Sequence, residues 1–328
     1  MSEYGISYVV TTYNKLPYLR QVLDRLVAAR LPNEEIVVAD GGSKDGTPEY
    51  LRSLYEAGHI QQFVSERDKG ESHGFNKCML RARGEVVKII TDDDAFDYGA
   101  IREAAGFMHQ HPDVDVMMGY TGLLFLEDPN RLSLYEDVAD NFKRWFHHGE
   151  AVWMIGLPMI IRRTSLALTG LFNTGVVQMD TEFTYRITSL NVNLAWSSAV
   201  LSIRIENPQS NFRVMGRQTS QHEADRMRFF YDKRIGHSFL NYVRHKSGWL
   251  DALKKPVRPL KRAVFNALKK PQYQGPPQLP TGYVPTPGEE PLEAAFRVCD
   301  RFMADYNARQ TTEFIFKKQE LGKALATK

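Results

Sequence analysis

Over the first hundred residues two hydrophobic periods alternate, and this alternation restricts the fold more than any other feature of the chain. Four short apolar, β-branched-rich runs read as strands: Ile6 to Thr12 (ISYVVTT), Glu35 to Ala39 (EIVVA), Ile60 to Ser65 (IQQFVS) and Val86 to Thr91 (VVKIIT). Between them lie segments with helical spacing. In PYLRQVLDRLVAAR, Leu19, Val22, Leu23, Leu26 and Val27 share one face, and Pro17 suits a first helical turn. DGTPEYLRSLYEAG and SHGFNKCMLRARG follow, the latter closed by a glycine suited to a helix end. Strand and helix in this succession build right-handed βαβ units, so the expected class is α/β, a mostly parallel central sheet flanked by helices. Ligands bind such sheets outside the carboxyl ends of the strands. Here those ends are polar: Thr11, Thr12, Tyr13 and Asn14; then Asp40, Gly41 and Gly42; then Glu66, Arg67 and Asp68; then Asp92, Asp93 and Asp94.

Further along, 98–118 reads as a helix and a strand, whereas 119–150 is aromatic-rich and irregular, with no assignable elements. Residues 152–163 (VWMIGLPMIIRR) return to strand-like sequence, Ser165 to Leu171 reads as a short helix, and another helix begins at Asp180. A strand (AVLSIRI) precedes a polar stretch and a charged helix, HEADRMRFFYDKR. The expected organisation is a main domain over 1–235, a basic amphipathic segment over 236–270, a proline-rich linker over 271–291 and a helical C-terminal tail over 292–328.

Composition narrows the function classes. No stretch approaches the roughly 18 consecutive apolar residues of a membrane-spanning helix, and the N-terminus lacks the basic start and apolar segment of a secretory signal. A cytoplasmic location is therefore expected. Cys78 and Cys299 are the only cysteines, far apart, which implies neither a disulfide framework nor a thiolate zinc site. Net charge is +3, yet residues 244–270 hold nine Lys/Arg against the single acid Asp251, so the remainder is mildly acidic and nucleic acid is not an expected partner. Trp249, Leu250, Leu253, Val257, Leu260, Val264, Phe265 and Leu268 interleave with those cations. Two readings stand for this segment: peripheral contact with the inner face of an anionic membrane, and a solvated helix packed on the main domain.

The run KIITDDDAF sets three carboxylates side by side at a strand end. A solvated turn or a helix cap would account for them. So would a divalent cation, which takes hard oxygen ligands from one or two carboxylates plus substrate phosphates.

The succession VVTTYNKLPYLRQVLDRL, EIVVADGGSKDGT and SERDKGESHGFNKCMLRARGEVVKIITDDDAFDYGAI resembles the N-terminal half of the inverting glycosyltransferases of family 2, which have the GT-A (nucleotide-diphospho-sugar transferase) fold. The resemblance implies a nucleotide-diphosphate sugar donor, Mn2+ or Mg2+ as cofactor, and a glycan or lipid-linked acceptor in cell-surface polysaccharide or glycolipid assembly. It places the nucleotide-sugar-binding half in 1–118 and the acceptor half in 119–235. Thr11, Thr12, Tyr13, Asn14 and Asp40 would hold base and ribose, Asp68 would line the floor beside them, and Asn76 and Lys77 would sit one helical turn beyond, with Lys77 near diphosphate charge. Asp92 and Asp93 would face ribose and sugar, with Asp94, and next Asp92, as metal ligands; which of the three touches the ion is left open.

Inversion requires the acceptor hydroxyl to attack opposite the leaving diphosphate, with a separate general base removing its proton. The resemblance puts that base in VVQMDTEFTYRI, at Asp180, with Glu182, the following acid, as the second catalytic candidate and Arg186 after it; Met179 stands where the family has a first acid. Asp180 also suits the start of its helix as a cap. No GxSxG, HExxH or P-loop is found. A catalytically silent nucleotide-sugar-binding protein on the same scaffold remains as the alternative. A sugar-phosphate nucleotidyltransferase would need a Gly-rich, Arg-containing N-terminal loop, which VVTTYNKLPYL does not supply.

Overall fold

In the computed structural model, which describes residues 2–190, 192–208, 217–232 and 278–318, the N-terminal alternation is realised as read. It runs β1 (Tyr4–Thr12), α1 (Leu16–Ala29), β2 (Glu34–Asp40), α2 (Thr47–Glu56), β3 (Gln62–Ser65), α3 (Glu71–Arg81) and β4 (Gly84–Ile90). These four strands lie side by side as β3-β2-β1-β4, all parallel, with Thr12 opposite Asp40 and Asp40 opposite Ser65. The register brings the polar strand ends level with one another. Side chains alternate between two cores. Tyr8 and Val10 pack with Leu19, Leu23 and Ile101 on one face of the sheet, and Val9 with Val37, Phe75, Ile89 and Phe183 on the other. Each fully buried Leu or Phe contributes about 1.5–3 kcal/mol.

The chain continues through β5 (Ala95–Phe96) and α4 (Tyr98–Gln110), where Asp97 caps the helix by accepting from the Ala100 N–H. The aromatic stretch expected to be irregular is in fact ordered. Strand β6 (Val116–Phe125) turns into β7 (Asp128–Leu134) and leads to α5 (Glu136–His148). Its pattern was illegible because β6 is central and buried along most of its length, so no polar face alternates with an apolar one. Residue 118, the expected boundary between halves, lies inside β6.

Strand-like sequence over 152–163 forms a strand only at β8 (Ile160–Arg162). A 3₁₀ turn, short helix α6 (Leu166–Thr169), α7 (Met179–Ser189) and β9 (Leu194–Glu206) follow. Strand β8 is antiparallel to β4 and β6, while β6 and β9 are parallel, so the sheet is mixed beyond β4. Helix α8 (Arg217–Tyr231) packs on α7.

The expected C-terminal helix is present and packs into the main core. Helix α9 (Pro291–Ala308) buries Phe296, Cys299 and Met303 in the main core, and Arg25 donates to Asp300 at 2.8 Å. The chain then forms β10 (Phe314–Phe316), antiparallel to β9, where Phe314 stacks on Phe107. Pairing satisfies backbone groups that the β9 edge would otherwise leave open. Of the expected linker, Leu279 bridges to Leu132. The basic segment 236–270 lies outside the described residues, and among these no helix is long and apolar enough to cross a membrane.

Candidate active site

The carboxyl ends of β1, β2 and β4 and the loop after β3 open into one cleft of about 990 Å³. The same cleft is also lined by Trp153, Ile155, Gly156 and Leu157, by the start of α7 and by the last residues of β9.

Thr11, Thr12 and Tyr13 line the cleft at the end of β1, and Asp68 lines it after β3. Close packing sets their depth. A Cβ on Gly74 of α3 would fall 2.0 Å from Thr11 Oγ1, and one on Gly41 would fall 3.0 Å from an Asp68 oxygen. Asn14, in the left-handed region at φ 52°, does not face the cleft: its N–H donates to Ser43 Oγ and its Oδ1 accepts from the Lys44 N–H, both at 2.8 Å. Asp40 is fully buried and turned away. It accepts from Ser43 Oγ at 2.5 Å and from Ser65 Oγ at 2.6 Å, so Gly41 is what the β2 end presents to the cleft. Asn76 and Lys77 are likewise not among the lining residues. Asn76 holds the Phe172 backbone by two bonds of 2.8 and 2.9 Å, and Lys77 pairs with Glu66 at 3.2 Å.

Asp92, Asp93 and Asp94 all line the cleft and are all buried. Lys15, at the α1 start, reaches Asp93 Oδ2 at 2.7 Å and Asp92 Oδ1 at 3.4 Å, and Asn207 donates to Asp93 at 3.0 Å. Asp94 accepts from Thr91 Oγ1 at 2.7 Å and from the Ile205 N–H at 2.8 Å. Burial raises the Asp94 and Asp92 carboxyls above the ordinary carboxylate range and the charge on Asp93 raises both further, while at Asp92 the nearby Lys15 opposes the rise. This corner thus holds more negative charge than Lys15 compensates.

Asp180, which also lines the cleft, lies in the first turn of α7 and accepts from the Gly156 N–H at 3.0 Å through Oδ2. The contact is tight, because a Cβ on Gly156 would fall 2.6 Å from Asp180 Cβ. Glu182 is not brought to the cleft. It is buried, bonded by Arg186 through both oxygens at 3.0 Å, and takes the Tyr231 hydroxyl at 2.6 Å, which ties α7 to α8. Residues two apart on a helix lie on different faces, so Asp180 and Glu182, both in the first turn of α7, point in different directions.

Hard carboxylate oxygens at the cleft floor are the donors Mg2+ and Mn2+ take, and the excess charge around Asp94 and Asp92 is what a cation would relieve. Among the described residues no group of three or more His, Cys, Asp or Glu forms a preformed cage. The donor set fits a cation that completes its shell with substrate phosphates.

Arg67, one of the polar strand-end residues, lines the cleft too, and so do Lys15, Trp153, Gly156 and Arg204, which carry no such expectation from sequence. Lys15 had a signal, standing directly after the TTYN strand end. The last three sit on segments whose approach to the sheet no local pattern reveals.

Residues 7–173, just over half of the chain, match the family model described as glycosyl transferase family 2. Poly-beta-1,6-N-acetyl-D-glucosamine synthase of Staphylococcus epidermidis RP62A is 27% identical over 94 residues, 28% of this chain and 23% of that protein. The chain spans less than two thirds of the length of the curated relatives it matches. Among solved structures, mannosyltransferase PcManGT from Pyrobaculum calidifontis, in complex with GDP-Man and Mn2+, superposes with a TM-score of 0.56 at 20% identity, covering 81% of this chain and 76% of that one. S. aureus TarS 1-349 in complex with UDP-GlcNAc gives 0.51 at 16%, covering 74% and 69%.

Proposed function

The chain belongs to glycosyl transferase family 2 and has the GT-A fold, and from this premise we propose that it moves a sugar, with inversion, from a nucleotide-diphosphate sugar to a hydroxyl of a glycan or lipid-linked acceptor. The observation that carries the reading is that the buried acidic run at the β4 end and the Asp180 carboxylate at the α7 start line one and the same cleft. Inversion calls for both: a site for the leaving diphosphate and a separate base for the acceptor hydroxyl.

In this reading Thr11, Thr12, Tyr13 and Asp68 receive the nucleoside, and Asp40 shapes the β2 loop from behind through Ser43 and Ser65. Asp94 and Asp92 would hold Mn2+ or Mg2+, which supplies charge neutralisation at the diphosphate. Asp180, oriented by the Gly156 N–H, takes the proton from the acceptor hydroxyl. Trp153, Phe125, Tyr135 and Phe172 offer flat apolar faces to sugar rings on the acceptor side. Cell-surface polysaccharide or glycolipid assembly is the fitting setting, in line with a relative named for making poly-beta-1,6-N-acetyl-D-glucosamine.

The test is a thermal-shift screen of UDP, GDP and dTDP sugars with and without Mn2+, followed by assay of donor hydrolysis without acceptor. The expected result is metal-dependent binding of one nucleotide class and slow release of its nucleoside diphosphate, abolished by Asp94→Ala. Binding that a chelator leaves untouched would remove the metal from the scheme, and binding without any turnover would return the chain to a silent sugar-binding role.

A further inference from the structure

Lys88 occupies the middle of β4 and is fully buried. It shares a sheet face with Val86 and Ile90, stands opposite Ile160 of β8, and its amine lies 5.0 Å from the centre of the Phe96 ring. Among the described residues no carboxylate pairs with it, and burial pushes its amine well below the ordinary lysine range. A leucine or valine would fill this position without the cost of desolvating an amine. Packing therefore does not explain the lysine.

Its hydrogen bonds do. Nζ donates to the Ile89 carbonyl at 2.9 Å and to the Leu157 carbonyl at 2.5 Å. Leu157 belongs to the cleft wall, and the residue before it, Gly156, donates the N–H that holds Asp180 Oδ2 at 3.0 Å. The Met159 N–H closes this corner on the Gly156 carbonyl at 2.9 Å. One side of the corner is thus anchored in the core by Lys88 while the other presents its N–H to Asp180. The corner touches Asp180 without slack, because a Cβ at Gly156 has no room, so a shift of the corner moves the carboxylate.

We propose that Lys88 is a positioning residue for Asp180, acting from the sheet core through the Leu157 carbonyl and the Gly156 N–H. This rests on the reading of Asp180 as the general base. Removing the amine leaves the Leu157 carbonyl without its donor, and the corner turns to find another partner. Misplacement of about 1 Å at a reacting group costs up to about a hundredfold in rate.

The test compares Lys88→Met and Lys88→Gln with the full wild-type chain, using amide exchange across 153–159 and hydrolysis of UDP-N-acetylglucosamine and GDP-mannose with Mn2+. In Lys88→Met the Gly156 amide should exchange about tenfold faster while amides of β1 and β2 stay protected, with kcat down about tenfold and KM for donor unchanged. Lys88→Gln, which keeps a donor for the carbonyl, should recover most of the rate; it also serves if the methionine variant does not fold. Unchanged Gly156 exchange, a uniform loss of protection across the sheet, or a glutamine variant as slow as the methionine one would each overturn the proposal. Asp180→Asn separates the two ideas. If it hydrolyses donor like wild type, the base reading falls, and the exchange data alone still decide whether Lys88 holds the corner.

Discussion

Lys15 Nζ stands 2.7 Å from Asp93 Oδ2 and 3.4 Å from Asp92 Oδ1, so the acidic run that ends β4 has a counter-charge supplied from the turn after β1. All three side chains are largely buried. Removing one partner of such a pair leaves the other charge uncompensated in a poorly solvated place. Lys15→Met should lower stability by about 3 kcal/mol in urea denaturation, and Mn2+ with UDP should restore more of it in the variant than in wild type. A variant as stable as wild type without ligand would mean that the acids find compensation elsewhere.

Asp180 can serve as base or only as a first-turn acid of α7, and substitution separates the roles. Asp180→Asn keeps the shape and the acceptor for the Gly156 N–H but cannot take a proton. Transfer should fall by roughly a hundredfold to ten-thousandfold, with donor affinity by calorimetry within about threefold of wild type. Intact transfer would assign the proton to another group.

The sequence made the first hundred residues legible and those that follow much less so, for a physical reason. Strands β1, β2 and β4 carry their own signals, because each short apolar run ends abruptly in polar residues and helices intervene. The parallel register then levels those ends without further information. Strand β6 was legible only over its first residues, to Met118, and the rest of it and helix α5 gave no such signal, since a central strand buried on both faces has no period to read. Asp40 illustrates a finer failure. Its position at a strand end was right, but whether a carboxylate faces the cleft or turns to Ser43 and Ser65 depends on hydroxyls 3 and 25 residues away. Glu182 failed likewise, its orientation being fixed by Tyr231 from another helix.

The α3–β1 contact makes a prediction about size. A Cβ at Gly74 would fall 2.0 Å from Thr11 Oγ1 and 3.0 Å from Thr11 Cβ, so Thr11 or the helix has to move. Gly74→Ala should cost about 1–3 kcal/mol and weaken binding of the nucleotide found in the donor screen, since Thr11 lines the cleft. Unchanged melting temperature and affinity would show that α3 shifts at little cost.

Glu182 should prove structural. Glu182→Gln removes the charge that holds Arg186 and leaves a single carbonyl oxygen to accept from both Arg186 and Tyr231, which should cost about 2 kcal/mol given the partial exposure of Arg186. Transfer should stay within about threefold of wild type at a temperature where the variant is folded. A collapse of kcat with stability intact would restore Glu182 to the catalytic set.

The buried Lys88 amine gives stability a pH dependence whose sign is fixed. Its value in the folded chain lies well below the unfolded value of 10.5, because burial disfavours the charged form. Between those two values the unfolded chain binds the extra proton, so the free energy of unfolding rises with pH there, by up to about 1.4 kcal/mol per unit for one proton. The penalty is fully present below the folded value and vanishes as pH climbs past 10.5. The Ile89 and Leu157 carbonyls and the Phe96 ring beside the amine do not titrate, and Tyr8, which stands opposite Lys88 on β1, is present in both chains. The difference in stability between wild type and Lys88→Met should therefore move in favour of wild type as pH is raised from 7 to 10 in urea denaturation, while contributions common to both chains, such as the tyrosines, cancel. A difference that stays flat over that range would mean that Lys88 has nearly the same proton affinity folded and unfolded, which would require a compensating charge or water at its amine.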